Sequence, residues 1–345
     1  MSVNLEVVSP GAYASLQDRG RRGHRHIGVP WSGVLDARLM RIANVLAGND
    51  EGAPVIECFD GGLQLRARGG ACRVAVAGDA VIEIEAQGER RPLPAWRSAT
   101  LADGELLRIR SMARGRLAAV AIAGIALPSS LGSASTYARA GLGGLDGRPL
   151  AAGQAIPAGT AGGPERVLPE PPRASSAPIR VVPGPQADLF TDAACAGLLQ
   201  DDYRVSAAAD RMGIRLDGPA LAHRGEREIV SDATVPGSIQ VPGNGQPIVL
   251  LADGQTAGGY PKIATVIGAD LPRLANLRPG ETLRFTAVDV ATAEALARAA
   301  ERETQALLAA IRPLHADGID LAALYSANLV GGVVNALAPE YRPLP

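Results

Sequence analysis

The sequence holds a single lysine. Lys and Arg together number 34, and Lys262 is the only lysine, which leaves 33 arginines (34 − 1). A GxxxxGK[ST] phosphate loop is therefore excluded, because Lys262 follows Tyr260-Pro261 rather than a glycine run. The Met-flanked lysine of a biotin-carrier hairpin is missing too. If ATP or biotin is used, it arrives on another chain. Lysine survives at one position in a chain that otherwise chooses arginine. Two readings stand: a position that needs a compact, rotatable ammonium rather than a rigid guanidinium fork, or chance survival on the surface.

Aromatics are scarce, at 3%, so Ala, Val, Leu and Ile must fill the core. The three cysteines, Cys58, Cys72 and Cys195, are widely spaced and form no CxxC, which argues against disulfides and structural zinc. The four histidines show no HxxxH or HExxH spacing, so no metal site is expected. The net charge of −1 lacks the basic excess of a nucleic-acid binder. No apolar run reaches the roughly 18 residues of a membrane span. The first residues, MSVNLEVVSPG, lack the basic and apolar regions of a signal peptide, so a cytoplasmic location is expected.

Glycine (41) and proline (26) approach a fifth of the 345 residues without a repeat, and so punctuate many short elements. Short alternating or apolar runs recur from Val3 to about Ile122, separated by Gly, Asp and Pro. That spacing predicts a barrel or sandwich rather than βαβ units. Asp36 heads a short helix that ends before Gly48. Residues 164–178, PERVLPEPPRASSAP, read as a linker. Strands are expected at Ile179, Ser238–Val241, Pro247–Ala252 and Lys262–Ile267, with a hairpin turn at Asn244-Gly245. A helix is expected over Gln186–Leu199. The pattern divides the chain into a first lobe over 1–163, a second over 179–289, and a helical tail over 290–345. Within the tail, Leu296, Ala300, Leu307, Leu308 and Ile311 form a stripe, and a second short helix is expected near Leu321–Val334.

The loop from Asp253 to Lys262 gathers a carboxylate, an amide (Gln255), a hydroxyl, paired glycines (Gly258, Gly259), a phenol (Tyr260) and the lone ammonium. Such a set suits a carbonyl or carboxylate: N–H and ammonium donors on the oxygen, Asp253 as proton acceptor. The bland alternative is a solvated turn. Arg211 and Arg215 share a strand face and can clamp a carboxylate, or be exposed strand arginines. Gln17, Asp18 and Arg19 lie in an early Gly/Arg loop. Ser135 to Gly144, with Arg139, is glycine-rich but lacks dinucleotide-binding spacing.

Five stretches carry a resemblance: SPGAYASLQDRGRRGHRHIGVPWSGVLD, ANVLAGN, STYARAGLGGLDGRPLAAG, DRMGIRLDGP and GSIQVPGNGQPIVLLADGQTAGGYPKIATVIGADLPRLANLRPGE. Together they resemble the KipA family, also called allophanate hydrolase subunit 2 or the C-type subunit of 5-oxoprolinase, which is similar to part of the biotin-dependent carboxyltransferase domain of urea amidolyase. Ala134, Gln154 and Asn276 stand where the family pattern leads one to expect Arg, Asp and Gln. The resemblance implies a mainly β chain of two cyclophilin-like barrels. It implies a KipI-like, B-type partner sharing the active site, and an A-type partner that completes an ATP-dependent enzyme opening 5-oxoproline to glutamate. The relatives leave two other readings: carboxyl transfer from biotin delivered in trans to a urea-type amide, and a non-enzymatic regulatory binding module. Matched to the family motifs, Lys262, Asp253, Gln255 and Arg211 are the expected catalytic groups. Gln240, Gly258, Gly259, Tyr260, Arg139, Gln17, Asp18 and Arg19 are the expected substrate-binding ones.

Overall fold

The computed structural model describes residues 3–159, 162–314, 332–335 and 338–343. The chain is mainly β, with few helices. Two antiparallel sheets build its first part. One has six strands in the spatial order Ala155–Pro157, Asn4–Pro10, Leu63–Arg68, Leu106–Met112, Ala80–Ala86 and Glu89–Leu93. The other has seven: Tyr13–Gln17, Val55–Phe59, Leu117–Ile122, Cys72–Ala77, Arg97–Leu101, Arg166–Val167 and Arg312–Pro313.

The middle strands of the seven-stranded sheet are buried at every residue, which is why, Glu57 and Arg73 apart, they read as apolar runs. The two-residue period sorts their side chains. Ile56, Cys58, Val74, Val76, Val120 and Ile122 fill the core between the two sheets. Ala75, Ala77, Ala119 and Ala121 face a second core with helix α1 (Ala37–Ala47). Alanine on that face lets the helix approach the sheet. The helix begins as its sequence dictates: the Asp36 carboxylate accepts from Arg38 N at 2.9 Å and Leu39 N at 3.2 Å. It ends at Gly48 in the left-handed region.

An eight-stranded sheet forms the second part, in the order Thr282–Leu283, Tyr203–Val205, Gly213–Asp217, Ile248–Leu250, Ser238–Gln240, Lys262–Val266, Ile179–Pro183 and Phe285–Ala287. Its two edges are consecutive in sequence, so the sheet curls into a nearly closed barrel. The barrel interior, with Val181, Ile214, Ile239, Val249 and Phe285, is continuous with the core under α1. One apolar cluster therefore runs through both lobes.

Several elements differ from the sequence expectation. The helix expected over Gln186–Leu199 is a 3-10 turn, Ala187–Leu189, followed by α2 (Asp192–Gln200), because Thr191 caps a fresh start through Ala194 N at 3.1 Å. A short α3 (Leu271–Ala275) follows the strand that carries Lys262. The front of the proline-rich segment is not free chain. Arg166–Val167 pairs with the seven-stranded sheet, and Glu165 accepts from Thr100 N at 2.7 Å. The tail is helical over α4 (Val290–Ala309). The helix expected near Leu321–Val334 falls mostly outside the described residues. Where it re-enters them, Gly332–Asn335 is a strand paired with Ala338–Pro343, in keeping with its Val-Val pair.

Candidate active site

A cleft of about 350 Å³ opens where the lobes meet. Tyr13, Phe59, Tyr137, Arg139, Arg211 and Asp253 all line it, so three motif-bearing loops and two strands from distant parts of the chain converge there. Its floor is Arg211. Asp210 sets the turn that carries it by accepting from Met212 N at 2.8 Å and Gly213 N at 3.2 Å. The neighbouring strand Ile248–Leu250 brings Asp253 alongside, with Asp253 N donating to Arg211 O at 3.0 Å.

The Arg211 guanidinium is engaged through all three of its nitrogens. Its Nε and Nη2 donate to the two Asp253 oxygens at 3.0 and 3.2 Å, its Nη1 donates to Glu57, and Nη2 also donates to the Gly33 carbonyl. Glu57 comes from the first lobe, and its other oxygen accepts from Leu35 N at 2.6 Å. Burial pushes the Glu57 carboxyl upward, opposed chiefly by the Arg211 charge. Burial likewise raises Tyr13 and Tyr137. Both phenols thus keep their protons at neutral pH and present hydrogen-bond donors beside the Asp253 carboxylate.

The expectation that Arg211 clamps a substrate carboxylate meets this geometry: four of its five N–H groups are already used inside the protein. The cation left for a ligand is Arg139, which is exposed, lines the cleft and has no ion pair among the described residues.

Gln17 and Asp18 act one step back. Asp18 accepts from Ser133 Oγ at 2.5 Å, Ser135 Oγ at 2.6 Å and Ala134 N at 2.7 Å, while Gln17 Nε2 donates to Thr136 O at 3.1 Å. They hold the loop that delivers Tyr137 and Arg139. Arg21, fully buried, adds a bond to Ser135 O at 2.5 Å. Arg19 faces a different cleft.

The other expected residues form a second cluster, and none of them lines the Asp253 cleft. Lys262 is 2% exposed; its Nζ donates to Asp232 Oδ2 at 2.6 Å and Ala233 O at 2.9 Å. That bond holds the Asp232 carboxyl below its usual range. Gln255 Nε2 donates to Gln240 Oε1 at 2.7 Å, and Gln240 reaches Tyr260 O at 3.4 Å. A Cβ on Gly258 would sit 2.5 Å from Gln240 Nε2, so any side chain there would push the Gln240 amide aside. Gly259 accepts from Ile229 N at 2.8 Å, and Tyr260 is 39% exposed.

Sequence reasoning missed Glu57 and the two tyrosines. Glu57 had a signal, a charged residue inside an otherwise apolar strand, VIECF. The tyrosines sit inside quoted motifs but have no local pattern that marks them.

Residues 27–287 match the family model for the carboxyltransferase domain, subdomains A and B. The chain belongs to this carboxyltransferase-domain family. It is 35% identical over 297 residues to the C-type subunit of 5-oxoprolinase from Escherichia coli K12, covering 81% of this chain and 90% of that protein. It is 28% identical to the urea amidolyase of Saccharomyces cerevisiae, over 94% of this chain but only 18% of the yeast protein. Among solved structures, Kluyveromyces lactis urea carboxylase superposes with a TM-score of 0.79 at 26% identity, covering 92% of this chain and 30% of that one. TTHA0988 superposes at 0.72 with 36% identity, over 83% of this chain and 56% of that one. In these solved relatives the carboxyltransferase domain is thus one part of a longer polypeptide. The relatives of matching length are named as enzyme subunits. Among the described residues no helix is long and apolar enough to cross a membrane.

Proposed function

We propose that this chain is the C-type subunit of an ATP-dependent 5-oxoprolinase, and that the Asp253 cleft takes the lactam. The observation that carries this reading is the division of labour in the cleft. Arg211 is spent on Asp253 and Glu57, and Arg139 is left facing the opening. 5-Oxoproline is a small ring with a carboxylate, a carbonyl and an amide N–H. In this reading Arg139 anchors the carboxylate. The Tyr13 and Tyr137 hydroxyls donate to the carbonyl oxygen, where charge develops as water adds. Asp253, held in place by Arg211, accepts the proton. Ring opening adds the elements of water across the amide C–N bond and yields the carboxylate and amine of glutamate.

ATP is used on partner subunits, since this chain has no phosphate loop. A KipI-like partner of the B type closes the cleft and a partner of the A type completes the enzyme, in the cytoplasm where ATP is available. The chain works as an enzyme only in that complex.

The fungal urea carboxylase likeness favours a second reading, carboxyl transfer from biotin to a urea-type amide. Biotin would have to come on another chain, because the only lysine is buried with its Nζ bonded to Asp232 and Ala233. Urea has no carboxylate, so in this reading Arg139 would face the carboxyl group carried in on biotin rather than the amide substrate.

The test is 5-oxoproline-dependent ATP hydrolysis and glutamate release by this chain co-expressed with its B- and A-type partners, with each subunit omitted in turn. Activity that needs all three, and falls sharply in Arg139→Gln, is the expected result. An assembled, soluble complex that leaves 5-oxoproline intact rejects the reading and makes biotin-dependent carboxylation of urea the next assay.

A further inference from the structure

A second cleft, of about 550 Å³, lies between the lobes. Trp31, Ser32, Val34 and Leu35 line it; in the same segment Ser32 N donates to Ala252 O at 3.0 Å and the Gly33 carbonyl accepts from Arg211, which lines the first cleft. Arg19, Arg22, Trp31 and Ser32 line this second cleft, and none of them belongs to the Asp253 site.

Three features mark it as a built site. Its lining is electropositive: Arg19, Arg22 and Arg41 contribute three guanidiniums against one carboxylate, Glu301 of α4. Arg41 is paired with Glu51 and Glu301, both at 2.8 Å, whereas Arg19 and Arg22 have no ion pair among the described residues. Secondly, Arg22 lies 4.0 Å over the Trp31 ring centroid, so a flat aromatic surface and a cation are held together at the cleft. The third is Ser32, which has φ +53° and is 5% exposed. Its Oγ is buried without a hydrogen-bond partner among the described residues. A buried hydroxyl normally finds a partner, so an orphaned one lining a cleft calls for a ligand acceptor.

The loop is also preformed. A Cβ on Gly33 would fall 2.8 Å from Gly20 N, and one on Gly20 would fall 2.6 Å from the Trp31 carbonyl. The two glycines lock the crossing that presents Trp31 and Ser32. The remaining wall is apolar, with Met40, Leu251 and Leu271. The volume lies within the range of about 300–1,000 Å³ typical of small-molecule pockets.

We propose that this second cleft binds an organic carboxylate carried on a flat apolar body, with Arg19, Arg22 and the Ser32 hydroxyl on the carboxylate and Trp31 against the ring. Glu301, paired with Arg41, is the one carboxylate in the lining, and its charge opposes that of such a ligand. The site is separate from the one proposed for the lactam.

The test is isothermal titration calorimetry of the full chain with 2-naphthoate and with its neutral amide. The acid binds, and the amide binds at least tenfold more weakly. Arg22→Gln weakens the acid about tenfold or more. Glu301→Gln tightens it about threefold, a gain that a misfolded variant cannot give. Asp253→Asn and Arg139→Gln leave it unchanged, whereas loss of binding in either would assign the acid to the Asp253 cleft and overturn the proposal. No binding at millimolar naphthoate, equal binding of acid and amide, or indifference to both Arg22→Gln and Glu301→Gln would overturn it as well. Because this assay needs no partner and no turnover, its failure is distinct from failure of the 5-oxoprolinase reading.

Discussion

Arg211 of the second lobe reaches across to Glu57 of the first, in an ion pair whose side chains are 5% and 4% exposed. Removing the guanidinium leaves Glu57 and Asp253 facing each other as two buried carboxylates. Arg211→Met should therefore cost about 3–5 kcal/mol, the usual penalty for breaking a buried pair from one side. Urea denaturation checks this. A loss under 1 kcal/mol would mean that the carboxylates find other partners.

Asp253→Asn keeps the shape of the side chain and removes the proton acceptor. Turnover of the assembled enzyme should fall by about 10²-fold or more, with complex formation intact by gel filtration. Near-normal turnover would take Asp253 out of the chemistry.

Lys262→Arg places a larger, forked cation where a compact ammonium now fits against Asp232 and Ala233. Overpacking of this kind costs about 1–3 kcal/mol. The expected outcome is a lower melting temperature with a smaller effect on turnover. Abolished turnover in a variant of unchanged stability would instead put Lys262 at the substrate.

Asn276 ties the second lobe to the first. Its Oδ1 accepts from Arg116 N at 2.7 Å and Leu117 N at 2.9 Å. Asn276→Ala leaves both donors unpaired at the junction and should destabilise the chain by about 1–3 kcal/mol, measured by chemical denaturation.

Burial alone would push the Asp270 carboxyl up. Hydrogen bonds from the Arg180 side chain and backbone and the nearby Arg273 charge hold it below the ordinary aspartate range instead. An acid depressed in the fold contributes stability above its unfolded pKa, about 3.9, and loses it as pH falls through the folded value. The stability gap between wild type and Asp270→Asn should be constant above about pH 5 and narrow steadily below about pH 4. A gap that widens in acid would reverse the assignment.

Much of the β architecture was legible because strand period and turn chemistry are local. The Ser238–Gln240 and Ile248–Leu250 pair lies across the Asn244-Gly245 turn as the sequence indicated, with Gly245 at φ +78°. The Asp36 cap and the Gly48 stop of α1 were likewise readable. Less legible was the break before Thr191, since apolar periodicity runs through a capping residue without a mark. Arg166–Val167 was hidden for another reason: its pairing partner Arg312–Pro313 lies far away in sequence.

The sequence by itself determined the kind of chemistry available: one lysine, no phosphate loop, no metal cluster spacing, and a loop dense in polar groups. Only the tertiary structure decided how that loop is divided. Asp253 and Lys262 share one short segment, yet Asp253 is claimed by Arg211 and, through it, by Glu57, while Lys262 is claimed by Asp232. Local sequence fixes which groups a loop carries. Which of them meet is set by strands and loops from elsewhere in the chain, brought into contact when the two lobes bury one continuous core.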